Sequence, residues 1–179
     1  MRLVFSLLLA CALLAPAPAA AQITTEVSET TDIKRIESKS MRSLHADSYA
    51  GSHASYRAAY VNDPDQGISW VISVYGFTSS KTQMSRANSF RVTADGRQFE
   101  PVRLESKTRS VDDRLLEIKR ATFPRSAFTA IANAMNVTIS IGGAQFSAIK
   151  PRREDLRLIL REVPTDATPR TASSDAGNR

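Results

Sequence analysis

Apolar and polar residues alternate around two tight turns, and this is the clearest structural signal in the chain. The first segment reads Ser89-Phe90-Arg91-Val92-Thr93-Ala94, then Asp95-Gly96, then Arg97-Gln98-Phe99-Glu100. Asp-Gly between alternating runs is a preferred type I′ hairpin loop, because both of its positions take positive φ. A two-residue loop fixes the register: Ala94 faces Arg97, Thr93 faces Gln98, Val92 faces Phe99 and Arg91 faces Glu100. The apolar pair and the ion pair then fall on opposite faces, as a half-buried sheet requires. Pro101 bends the strand before Val102 and Leu104 resume the pattern. The second segment, Val137 to Ala148, turns at Gly142-Gly143. It pairs Ile141 with Ala144, Ile139 with Phe146 and Val137 with Ala148, all on one face.

On either side of this second hairpin the period becomes helical. After Pro124, the residues Phe128, Ile131, Ala132 and Met135 follow i, i+3, i+4, i+7 and predict a helix that stops at Asn136. A second helix opens at Pro151 and carries Glu154 and Asp155 in its first turn, where the helix dipole favours acids. Leu156, Ile159, Leu160 and Val163 form its inward face, and Pro164 ends it. Upstream, Ser55 to Val61, Ile68 to Phe77 and Leu115 to Phe123 read as strands. The middle one is apolar on both faces, with Ile68, Trp70, Ile72 and Val74 opposite Val71, Tyr75 and Phe77, and is expected at the centre. Strands precede helices without βαβ alternation. The expected class is therefore α+β: an antiparallel sheet or small β-sandwich with two short helices from the C-terminal half packed on it.

The folded domain is expected over residues 41–163, and the patterns flanking it differ. Arg2, the apolar run Leu3 to Leu14 and the small residues Ala19 and Ala21 match a signal peptide over residues 1–21, cleaved after Ala21. The run is shorter than the roughly 20 residues of a transmembrane helix. Leu8-Leu9-Ala10-Cys11 also resembles a lipobox, which gives the alternative of a lipid anchor on Cys11. Export places the protein in the periplasm or outside the cell, and the Ala- and Arg-rich composition points to a bacterium. Cleavage leaves 158 residues without a cysteine, which excludes disulfides, thiol nucleophiles and zinc-thiolate sites. Residues 22–40 read as a flexible polar leader in which Ile33 and Ile36 hint at one helical turn. Residues 164–179 form a Pro/Thr/Ser/Asp tail of disordered composition.

Candidate chemistry is sparse. His45 and His53 are eight residues apart, out of step with helical or strand metal spacing, and Asp47, Asp63 and Asp65 join them only through the fold. Asn62 to Gly67 fails as a calcium loop because Pro64 would hold a ligand position, so it reads as a polar turn. Asn136-Val137-Thr138 matches a glycosylation acceptor, but Val137 begins a core strand. Tyr49, Tyr56, Tyr60 and Tyr75 cluster in the first half, where exposed rings stack sugars or partners and buried ones fill a core. No Gly-x-Ser-x-Gly elbow, HExxH or Walker loop is present, and no cofactor is implied.

Charge has more direction. Without Arg2 the chain holds 23 basic and 18 acidic residues, with the excess concentrated in residues 81–125. Arg153, Arg157 and Arg161 lie i, i+4, i+8 along the last helix. They form a candidate surface for an envelope protein, an acidic glycan or an anionic lipid. The competing reading is a solvated helix face whose arginines pair with carboxylates such as Glu154. Export and the lack of a recognition motif argue against nucleic acid. The expectation is a non-enzymatic binding module of the bacterial envelope. Its alternatives are a small exported hydrolase with a His/Asp site, or a lipid-anchored accessory protein.

Overall fold

The computed structural model describes residues 23–163, which form two antiparallel sheets and three short α-helices. In the larger sheet the order is β1 (Ile23–Val27), β2 (Lys34–Ser38), β5 (His53–Asp63), β6 (Gly67–Thr78), β10 (Arg114–Phe123) and β9 (Arg103–Val111). The short β3 (Arg42–Ser43) also pairs with β5. The smaller sheet runs β4 (His45–Ala46), β12 (Ala144–Ser147), β11 (Val137–Ile141), β7 (Phe90–Ala94) and β8 (Arg97–Phe99). The helices are α1 (Gln83–Arg86), α2 (Arg125–Asn133) and α3 (Glu154–Glu162), the last preceded by a 3₁₀ turn at Lys150–Arg153. This is the expected α+β class, dominated by antiparallel sheet.

Both hairpins adopt the register that their turns dictate. Val92 pairs with Phe99 and Ala94 with Arg97, while Arg91 and Glu100 meet at 3.1 Å. Asp95 and Gly96 have φ of 47° and 81°, as a type I′ loop requires. Asp95 also holds the turn in place, since its carboxylate accepts the backbone N–H groups of Asn136 and Met135 at the entry of β11. Those two donors hold its pKa below the ordinary carboxylate value. In the second hairpin Ile139 faces Phe146 and Ile141 faces Ala144, with the Ala148 N–H donating to the Val137 carbonyl.

The β6 strand sits between β5 and β10, as its two apolar faces predicted. Its Trp70, Ile72 and Val74 join Tyr56, Ala58 and Tyr60 of β5 on the inner face. They pack with Val92, Ile139 and Phe146 of the smaller sheet and Phe128 and Ile159 of the helices in one hydrophobic cluster.

Two expectations are corrected. The flexible leader over residues 22–40 is instead sheet from Ile23 onward: β1 pairs with β2, β2 pairs with β5, and Ile36 is buried. Ile36 lies opposite Tyr60, so its burial comes from a long-range pairing that local polarity conceals. The first helix ends at Asn133, two residues before Met135, which is exposed. The segment read as a signal peptide, Cys11 and the residues from Pro164 onward lie outside the described residues.

Candidate functional site

Alternation along the larger sheet sends one set of side chains into the core and the other to its outer face. On β5, Tyr56, Ala58 and Tyr60 point inward, so Arg57 and Ala59 point out. Register then aligns Arg57 with Ser73, Ser73 with Arg120, and Arg120 with Glu105 in one row across four strands. The adjacent row runs Ser55, Tyr75, Ile118 and Lys107. Apart from Ser55, these rows line a concavity of about 410 Å³, together with Arg35 and Glu37 of β2 and Arg109 of β9.

Five basic residues border this concavity (Arg35, Arg57, Lys107, Arg109 and Arg120) against two acids, Glu37 and Glu105. Glu37 is shared by Arg35 at 3.7 Å and Arg57 at 3.8 Å. Glu105 pairs with Arg103 at 3.0 Å. Among the described residues, Lys107, Arg109 and Arg120 make no ion pair. The Nε of Arg57 is shielded from solvent and has no hydrogen-bond partner. Ala59 and Val71 form a small apolar floor, over which the aliphatic stems of the arginines can lie. The result is a cationic trough with spare donors, suited to carboxylate or phosphate oxygens.

The arginine stripe is arranged differently, and its first member, Arg153, lies in the 3₁₀ turn before α3 rather than on the helix. Arg153 is buried, and its guanidinium donates to the carbonyls of Ile131, Ala134, Met135 and Ala148 at 2.7–3.0 Å. Three of those carbonyls lie in the last turn of α2 or just beyond it, where a cation and donors are both favoured. Burial pushes the Arg153 pKa down, yet a guanidinium stays protonated. Arg157 donates to the Ala132 and Lys150 carbonyls and pairs with Glu154, and Arg161 reaches the same carboxylate at 3.4 Å. The stripe is thus divided: Arg153 is enclosed, and Arg157 and Arg161 share Glu154.

Two buried polar clusters hold the sheet to its surroundings. Asp155 of α3 accepts from Ser38 at 2.5 Å, Tyr56 at 2.9 Å and its neighbour Leu156 N–H at 3.0 Å, with Arg42 at 3.9 Å. Desolvation outweighs these partners and raises its pKa. Tyr56 is pushed up as well, by burial and then by the Asp155 charge. In the second cluster, Glu117 accepts from the N–H and hydroxyl of Thr82, the N-cap of α1, at 2.8 and 2.6 Å. Lys119, two residues on, donates to the Ser85 and Ala87 carbonyls at the other end of α1 and to Ser106. An acid at the start and a base at the end match the polarity of that helical turn.

The remaining candidates do not converge with the trough. His45 lies beside Asp47 at 3.5 Å, but both are exposed, and neither histidine borders the concavity. Among the described residues no group of three or more His, Cys, Asp or Glu side chains is placed to hold a metal. Asn62 to Gly67 is a turn in which Asp63 accepts from the N–H groups of Asp65 and Gln66. Of the tyrosines, Tyr56 and Tyr60 are core residues, and Tyr75 borders the trough. No described helix is long and apolar enough to cross a membrane.

Sequence reasoning missed Arg57, Lys107, Arg109 and Arg120. The positive excess in residues 81–125 was the available signal for the last three, but their convergence with Arg57 depends on which strands pair. Comparison with family models, curated proteins and solved structures finds no significant match to this chain.

Proposed function

We propose that this protein is an exported, non-enzymatic binding module of a bacterial envelope that holds an anionic ligand on the outer face of its larger sheet. The observation that carries this reading is the row Arg57–Ser73–Arg120, flanked by Lys107 and Arg109, whose cations outnumber the nearby carboxylates. In this reading the two sheets stack as a small sandwich, with their inner faces forming the core and one outer face left for the ligand. The guanidinium and ammonium donors that border the trough suit recognition of carboxylate or phosphate oxygens. The anionic-partner surface expected on Arg153, Arg157 and Arg161 is better supplied here, because these cations retain unoccupied donors.

Export rests on the N-terminal pattern alone. The mass of the protein recovered from its native envelope tests it: a chain beginning at Gln22 is expected. A lipidated Cys11 would instead make the protein a tethered accessory.

Binding is tested by titrating the purified protein with inorganic polyphosphate, poly-glutamate and polygalacturonate at low salt. At least one should bind, and the Arg57→Gln/Arg120→Gln variant should lose about tenfold in affinity, as expected for lost charge-assisted hydrogen bonds. The Arg157→Gln/Arg161→Gln variant should bind as the parent does. Loss on the helix rather than the sheet, or no binding at all, overturns the proposal.

A further inference from the structure

We infer that the ligand of the sheet face is an extended acidic polysaccharide of the uronic acid type. This inference rests on the anion-binding reading above and narrows it. Arg57 and Arg120 stand on strands separated by β6, so their backbones lie about 9.5 Å apart. Lys107 and Arg109 stand one strand further out on β9. Cations spread in this way suit carboxylates repeated along a chain better than a single compact anion.

The trough is also continuous. It passes into a second concavity of about 460 Å³ that shares Arg35 and Arg120 and is bordered by Val27, Ile33 and Val61. Glu26 and Asp63 make that second stretch less basic, so the carboxylates of the chain are held chiefly between Arg57, Arg120 and Lys107. Tyr75 and Ile118 offer an aromatic and an aliphatic surface in the row beside the arginines, against which the apolar face of a sugar ring can lie. Ser73, between the two arginines, supplies a hydroxyl that both donates and accepts.

The other polyanions fit less well. A flat membrane is poorly matched to a concave surface whose cations are spread over β5, β10 and β9. An extended peptide is held chiefly by backbone pairing at a sheet edge, and a sheet face presents only side chains. A glycan needs no backbone partner, because its hydroxyls and carboxylates are met by side-chain donors.

The test compares hexagalacturonate, digalacturonate, a neutral glucose hexamer, a hexaglutamate peptide and phosphatidylglycerol vesicles, using calorimetry on the full chain. Hexagalacturonate should bind at least about tenfold more tightly than each of the others. Tyr75→Leu should weaken it several-fold while leaving the melting temperature unchanged. Arg120→Gln should weaken it about tenfold. If hexaglutamate or vesicles bind as well as hexagalacturonate, and with the same dependence on Arg120, the glycan inference fails while the anion-binding reading stands. If Arg120→Gln changes nothing for any probe, both fail.

Discussion

Arg153 and Arg120 carry the same side chain in opposite circumstances. Arg153 is buried in the 3₁₀ turn before α3, and four backbone carbonyls take its donors. Arg120 stands on the outer face of β10 and, among the described residues, has no ion pair. The same contrast separates the two faces of the larger sheet. Glu117 and Lys119 point inward and are bonded to both ends of α1, whereas Arg120, next in sequence to Lys119, points outward. A charge in the interior is there because structure absorbs it. A charge on the outer face has donors left for something else.

The sharpest way to break this contrast is Arg153→Met. It leaves the carbonyls of Ile131, Ala134, Met135 and Ala148 without their donor, in a site closed to water. Leaving a buried acceptor without its donor costs about 1–3 kcal/mol, so losing several at once is expected to cost several kcal/mol. Urea denaturation should show that loss, and a change below about 1 kcal/mol would mean water replaces the guanidinium.

Asp155 comes next in expected effect. Asp155→Ala leaves the Ser38 and Tyr56 hydroxyls without their acceptor and removes the carboxylate facing Arg42. The expected cost is about 2–4 kcal/mol. Its raised pKa also fixes the sign of a pH dependence. Between the ordinary carboxylate value and the raised one, the folded chain binds the proton more tightly than the unfolded chain. This group's contribution is therefore greatest in acid, declines as pH rises through that window and is level above it. Asp155→Asn should remove the declining segment from the difference between the two stability–pH curves. An unaltered slope would show that another group titrates there.

Gly76→Ala probes the inner face without touching a charge. A Cβ there would lie 2.1 Å from the Tyr49 hydroxyl, which donates to Glu117 at 3.3 Å. The ring must move away from Phe146, on which it packs at 5.3 Å. Overpacking of this kind costs about 1–3 kcal/mol, readable as a lower denaturation midpoint. Tyr49→Phe with Gly76→Ala should recover only part of the loss, since it removes the hydroxyl but leaves the ring Cζ 2.7 Å from the new Cβ.

How much of this contrast was legible in the sequence depends on the range of the interaction. The hairpins at Asp95-Gly96 and Gly142-Gly143 were readable because a two-residue loop sets register locally. The central position of β6 was readable from Trp70, Ile72 and Val74 opposing Val71 and Tyr75. Strand β2 was hidden, because only Ile36 marks its buried face and the partner, Tyr60, is distant in sequence. Strand β9 was hidden too, its residues being almost all exposed and polar at the sheet edge. Without β9 and the β5–β6–β10 order, Arg57, Arg120 and Lys107 are scattered charges. The helical stripe drew notice for the converse reason. Its spacing is visible in sequence, whereas the carbonyls that engage Arg153 are a tertiary feature.

The smallest expected effect on stability tests the other side of the comparison. Arg120→Met should change the stability by no more than about 0.5 kcal/mol, as for a surface substitution away from the core. Its consequence should appear only when ligand is added. A ligand that binds the folded state alone raises the melting temperature as its concentration exceeds the dissociation constant. Hexagalacturonate should therefore raise the melting temperature of the parent and of Arg161→Gln, whose exposed pair with Glu154 contributes only a few tenths of a kcal/mol. The same addition should shift Arg120→Met far less, and raising the salt should shrink the parent's shift toward that of the variant. Equal shifts in parent and Arg120→Met would place the ligand elsewhere and remove the distinction between the two arginines.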